Sequence, residues 1–156
     1  EAANGVLQQA GSAQDADRTE VHDHRVVDDA TAGTVTIAHF DVVDATGTLT
    51  DRVSSAEASH TIRRAVLELR EQMWERHGAV TQFVGGDNAI AVCPSLTPST
   101  LDSVNDHVRE TTGVELQVGV GRGPTAHAAG DGAKHALEHC RETGERIHAA
   151  FSLVER

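Results

Sequence analysis

Val80-Thr81-Gln82-Phe83-Val84-Gly85-Gly86-Asp87-Asn88-Ala89-Ile90-Ala91-Val92-Cys93 is the stretch that decides how this chain folds. Two apolar runs, residues 80–84 and 89–93, flank Gly85-Gly86-Asp87-Asn88. A four-residue connection with two glycines between such runs predicts a tight β-hairpin, with Asp87 exposed at its tip. Upstream, the run at residues 35–40 ends on another acid, Asp41. If that run is the strand beside the hairpin, two carboxylates meet at one edge of a sheet. Oxygen-ligand sites for Mg²⁺ are built that way.

The rest of the chain supplies the frame. Val35, Ile37 and His39 alternate with Thr36, Ala38 and Phe40, which predicts a first strand. Ser54-Ser55-Ala56-Glu57 is a capping box, and Ile62, Val66, Leu69 and Met73 follow at helical spacing until Gly78 stops the helix. Met73 and Trp74 read as its core face. Thr97-Pro98 opens a second helix with Leu101, Val104 and Val108 on one side and Gly113 at its end. Val114, Leu116, Val118 and Val120 alternate with Glu115, Gln117 and Gly119 as a fourth strand. Gly123-Pro124-Thr125 then starts an Ala/Gly-rich helix to about Arg141, and Ile147, Ala149, Phe151 and Leu153 suggest a last strand. The order β-α-β-β-α-β, with an added C-terminal helix and strand, is an α+β ferredoxin-like plan. In that plan the second hairpin strand lies antiparallel to the first strand, about 4.8 Å away. Asp41 and Asp87 can then chelate the same ions.

Two Mg²⁺ ions need shared anionic oxygens, which Asp41, Asp87 and the backbone carbonyl of Val42 provide. The segment Val43, Asp44, Ala45, Thr46 and Gly47 turns from strand toward helix, so its N–H groups can cradle phosphate oxygens. Gly85 and Gly86 let a polyphosphate or base approach the backbone closely.

Of the 156 residues, 24 are acidic and 13 basic, a formal charge of -11, and Lys134 is the only lysine. The acids are spread along the chain, so the surface repels itself unless screened, and a salt-rich cytoplasm of haloarchaeal type suits it. Such a surface argues against general nucleic-acid or anionic-membrane binding, because phosphate backbones need a cationic footprint. No apolar stretch approaches the roughly 20 residues needed to span a bilayer. Cys93 and Cys140 form no C-x-x-C pair and read as buried free thiols.

Histidines offer weaker candidates. His135 and His139 sit at i, i+4 beside Cys140, the best zinc arrangement, but no third ligand lies nearby in the sequence. His22 and His24 fall in a stretch that reads as a linker and offer adventitious metal affinity at most. His39 lies near the carboxylates and is a candidate proton-transfer group or, more simply, a part-buried strand histidine. Lys134 is either a phosphate contact or a surface helix residue.

Residues 1–33 show no strand alternation. Glu1-Ala2-Ala3-Asn4-Gly5 echoes His127-Ala128-Ala129-Gly130-Asp131, which suggests an internal repeat.

The segments A-H-F-D-V-V-D-A-T-G-T-L-T-D, V-G-G-D-N and G-V-E-L-Q-V-G-V-G-R-G-P-T-A resemble the C-terminal half of archaeal GTP cyclohydrolase III. The likeness runs in register from about Val35 to Arg141, and residues 1–15 are similar to that family's junction between two tandem palm domains. The resemblance implies that residues 1–33 are the end of a preceding palm repeat plus linker, and 34–156 a palm domain of the nucleotidyl cyclase type. It implies an enzyme that uses Mg²⁺, helped by K⁺, to open the GTP imidazole ring with pyrophosphate release. The product would be 2-amino-5-formylamino-6-(5-phosphoribosylamino)pyrimidin-4(3H)-one, which feeds riboflavin and deazaflavin synthesis. Carried over, Asp41 and Asp87 are the metal carboxylates, Asp44, Thr46 and Gly47 lie on the phosphate side, and Gly85, Gly86 and Asn88 shape the turn. Homo-oligomers, or pairing with another palm domain, are implied as well. Two alternatives stay open. One is a nucleotidyl cyclase, although G-G-D-N lacks the glutamate of the diguanylate cyclase signature. The other is a non-catalytic nucleotide-binding or assembly half.

Overall fold

The computed structural model describes residues 33–43, 53–94 and 96–151, all within the unit Gly33–Arg156. The reading of 1–33 as a repeat end and linker therefore lies, Gly33 apart, outside the described residues, as do Asp44, Thr46, Gly47, His22, His24 and Leu153.

Five strands and three helices follow in the order β1(Val35–Val42), α1(Ser55–His77), β2(Val80–Gly85), β3(Asn88–Cys93), α2(Pro98–Thr112), β4(Leu116–Gly123), α3(Ala126–Thr143) and β5(Ile147–Ala149). They build one sheet in the order β2-β3-β1-β4-β5. β1 runs antiparallel to both neighbours, and β5 joins β4 in parallel. This is the expected ferredoxin-like core with α3 and β5 appended.

Local chemistry accounts for the helix ends. Ser54 accepts from the Glu57 N–H while the Glu57 carboxylate accepts from the Ser54 N–H, so the capping box is closed on both sides. Thr97 and Thr125 cap α2 and α3 through their hydroxyls, and all three helices end on a left-handed glycine.

The sheet faces divide cleanly. Ala38, Phe40 and Val42 of β1 join Leu69, Met73, Leu101, Val104 and Val108 in the large core under α1 and α2. Ile37 packs on the opposite face with Ala129 and Ala133 of α3. There α3 lies almost on the backbone of β4. A Cβ on Gly119 would strike the backbone of Ala133 and Leu137, and one on Gly121 would strike that of Ala129 and Ala133. Two bare backbone positions are what let the helix sit this low.

Three details differ from expectation. Trp74 is 62% exposed while Met73 is fully buried. Adjacent helix positions point about 100° apart, so both cannot face the core. The last strand has only three residues, and Phe151 lies beyond it under the Arg122 guanidinium, 4.3 Å from the ring centroid. The hairpin strands reach into the quoted turn, leaving Gly86 and Asp87 between them, and their register shifts between Phe83 and Gly85. No helix among the described residues is long and apolar enough to cross a membrane.

Candidate metal and nucleotide site

β1 and β3 pair from Thr36↔Cys93 to Asp41↔Asn88, so the end of β1 lies against the hairpin turn. Side chains alternate along a strand, which puts His39 and Asp41 on the Ile37 face, the side covered by α3. Because α3 packs low on β4, its last turn brings Arg141 to Asp41. Arg141 donates from Nε (2.8 Å) and Nη2 (2.6 Å) to a single oxygen, Oδ2. The other oxygen, Oδ1, is buried and accepts no hydrogen bond. Burial lifts the Asp41 carboxyl above its ordinary range; the Arg141 bonds oppose this, and the charge of Asp87 adds to the lift. The Asp41 and Asp87 carboxyls also stand within hydrogen-bonding reach of each other, and two acids so placed, one with a buried oxygen that no other side chain or backbone group satisfies, fit a divalent cation.

Asp87 is half-buried, not the free tip expected from the sequence. Its Oδ1 accepts from the Asn88 Nδ2 (2.9 Å), and the Asn88 Oδ1 lies 3.0 Å from the His39 Nε2. A carboxylate can only accept, so Asn88 turns its NH₂ to Asp87 and its oxygen to His39. His39 Nε2 is then the protonated nitrogen. Burial holds the His39 imidazole below its ordinary value, although the Asn88 bond and the Asp41 charge oppose this. His39 is thus a half-buried strand residue that steadies Asn88, and through it Asp87.

Gly85 (φ 117°) and Gly86 (φ 64°) occupy backbone conformations that side chains resist, and neither has neighbours where a Cβ would stand. They form an open, bare approach to the backbone beside Asp87. Val43 donates its N–H to the Glu115 carbonyl of the β4 side (2.9 Å). The carbonyl of Val42 shares that planar trans peptide and so points the other way, toward β3 and the hairpin turn. Val42 therefore offers its oxygen on the side where Asp87 stands. The Val43 N–H, by contrast, is already used in the sheet and is not one of the free donors expected for phosphate.

Arg141 is the site residue that sequence reasoning missed. It falls 100 positions from its partner, and only its place near a helix C-terminus marked it at all. Lys134 is exposed on α3, and its charge still reaches His39. Cys93 and Cys140 are buried free thiols, and burial pushes the Cys93 thiol up to about 12. His135 and Cys140 join no metal-ligand group among the described residues, whereas His139 does, with Glu145 and His148.

The sequence profile of the GTP cyclohydrolase III family matches residues 1–155. The chain is 54% identical to GTP cyclohydrolase III 2 of Halobacterium salinarum over 99% of its own length and 62% of that protein. It is 48% identical to GTP cyclohydrolase III of Halorubrum lacusprofundi, covering 97% of this chain and 59% of that one. It thus spans about three fifths of the length of these curated relatives. Among solved structures, the GGDEF domain of DgcB from Caulobacter crescentus in complex with c-di-GMP superposes with a TM-score of 0.63 at 19% identity. That match covers 76% of this chain and 79% of the other, and it bears on the fold, which is a palm of the cyclase type. Profile, relatives and palm fold agree, and the chain belongs to the GTP cyclohydrolase III family.

Proposed function

We propose that this chain forms the metal and nucleotide site of a Mg²⁺-dependent GTP cyclohydrolase III. The observation that carries this is the meeting of Asp41 and Asp87, with the buried Oδ1 of Asp41 lacking any donor. Asp41, Asp87 and the Val42 carbonyl are the oxygens that would hold Mg²⁺. When bound there, Mg²⁺ neutralises phosphate charge and polarises the oxygens of the α-phosphate and of an attacking water.

The chain's own residues do the positioning. Arg141 fixes one oxygen of Asp41 and turns the other to the site. His39 and Asn88 hold Asp87 at the turn. Gly85 and Gly86 leave the backbone bare for the nucleotide, and the family resemblance gives Asp44, Thr46 and Gly47 the role of phosphate contacts. One water opens the imidazole ring and leaves a formyl group on its nitrogen. Another water cleaves the α–β phosphoanhydride, releasing pyrophosphate and giving the formylamino-pyrimidine ribonucleotide monophosphate. K⁺ acts as activator.

A second palm domain or a second copy completes the enzyme. The chain's share of its relatives' length supports this. So does the sheet face beyond α3, where the register partners Val80 and Val92 are 60% and 48% exposed.

The test is incubation with GTP, MgCl₂ and molar KCl, with the products resolved by mass. A formylamino-pyrimidine monophosphate supports the proposal, and a cyclic nucleotide contradicts it. No product from this chain, but turnover by a form carrying a further palm domain, assigns it to the assembly half.

A further inference from the structure

On the far side of α3 from the hairpin, three metal-binding side chains converge from three successive pieces of chain. His139 comes from the last turns of α3, Glu145 from the turn that follows, and His148 from the middle of β5. Their ligand atoms all lie within 4.8 Å of one another. Glu145 Oε2 is 3.7 Å from His139 Nε2 and 3.2 Å from His148 Nδ1, so one carboxylate oxygen serves both imidazoles. The two rings stand 4.0 Å apart between centroids, tilted by 36°.

A tetrahedral ion with bonds of about 2.0–2.1 Å keeps its ligand atoms about 3.3 Å apart. Both edges to Glu145 already sit within a few tenths of an ångström of that spacing. The side chains are 36–50% exposed, so they have room to close the remaining edge. Two imidazoles and one carboxylate suit Zn²⁺ and the neighbouring late first-row ions, not Mg²⁺. Cys140, next in sequence to His139, is no part of the set, since its buried thiol turns to the Val118 carbonyl (3.5 Å).

We propose that His139, Glu145 and His148 form a Zn²⁺-type transition-metal site, separate from the Asp41–Asp87 pair, with its fourth position open to water. Its ligands join α3 to the short edge strand β5, so a bound ion braces the C-terminal end of the sheet. One of its ligands, His139, lies two residues before Arg141, the residue that holds Asp41.

Co²⁺ is the probe, added to the full chain with Mg²⁺ in excess to occupy the carboxylate site. One equivalent should bring the intense visible absorption of a low-coordinate, nitrogen-ligated ion, and Zn²⁺ should displace it. His139→Gln and His148→Gln should each weaken binding at least tenfold and remove the rise in melting temperature that Zn²⁺ causes. Both residues are partly exposed, and far-UV circular dichroism establishes that the variants are folded. Glu145→Gln gives a third, independent reading of the same loss. Substituting His22 and His24 together should change nothing. The proposal is overturned if the absorption survives in both histidine variants, if it vanishes instead with His22 and His24, or if no low-coordinate spectrum forms.

Discussion

Arg141 binds one oxygen of Asp41 through two of its nitrogens and leaves the other oxygen of that carboxylate with no donor. The pair holds the carboxyl in one orientation and leaves its second, buried oxygen without a protein donor. Arg141→Lys keeps the charge but loses the two-point grip. We expect it to fold normally, as its circular dichroism would show, and to lower GTP turnover roughly 100-fold, the scale of a misplaced catalytic group. Turnover unchanged by the lysine would mean that charge alone matters at position 141.

Asp41 carries a charge that the folded state disfavours. Its carboxyl is raised, chiefly by burial. A raised acid contributes stability at low pH and loses it as pH rises through its folded value. Ionising the group therefore costs the fold stability that a cation bound beside it would restore. Without divalent ions, Asp41→Asn should melt no lower than the parent protein. With Mg²⁺ and GTP the parent should gain melting temperature and the variant should not. A variant that melts well below the parent in EDTA would make the Asp41–Arg141 pair structural.

Gly119 and Gly121 set the height of α3 over the sheet. A single methyl at Gly121 meets the backbone of Ala129 and Ala133, which cannot move aside as a side chain could. Gly121→Ala should cost about 3 kcal/mol in urea unfolding, the upper end of ordinary overpacking. It should also impair the site, because Arg141 rides on the same helix. A loss below about 1 kcal/mol would show that α3 shifts freely.

Alkaline titration offers an unusually clean view of the core. The chain has no tyrosine and one lysine, so its two thiols dominate the alkaline range. Burial pushes Cys93 up to about 12. Native stability from this group is complete below its unfolded value near 9 and is lost as pH rises toward 12. Urea midpoints of the parent should fall over that range, and those of Cys93→Val should fall less. At pH 8 a thiol reagent should label Cys93 only after unfolding. Fast native labelling would contradict its burial.

Local chemistry made much of this fold readable. The capping box at Ser54, the hydroxyl cap at Thr97, the glycine stops and the Gly85-Gly86 turn act within a few residues of themselves. They fixed the element order, and the order brought Asp41 beside the hairpin. What sequence could not show depended on separation or on packing depth. Arg141 meets Asp41 across 100 residues, and only the low seat of α3 on two glycines brings it there. His148 reaches His139 because β5 pairs in parallel with β4, a choice made by the sheet edge. Trp74 rotates out of a core that Met73 enters, and Asp87 is drawn inward by the side chain of its own neighbour, Asn88.

The central claim is that Asp41 and Asp87 together hold the divalent metal that carries the nucleotide. Titration with Mn²⁺ in the presence of GTP, read by electron paramagnetic resonance, tests it most directly, because free and bound ions are counted separately. Asp41→Asn and Asp87→Asn should each weaken Mn²⁺ binding at least tenfold, and the double substitution should do little more than either alone, since both act on one site. Mn²⁺ binding that survives Asp87→Asn unchanged, or losses that simply add, would contradict a shared site.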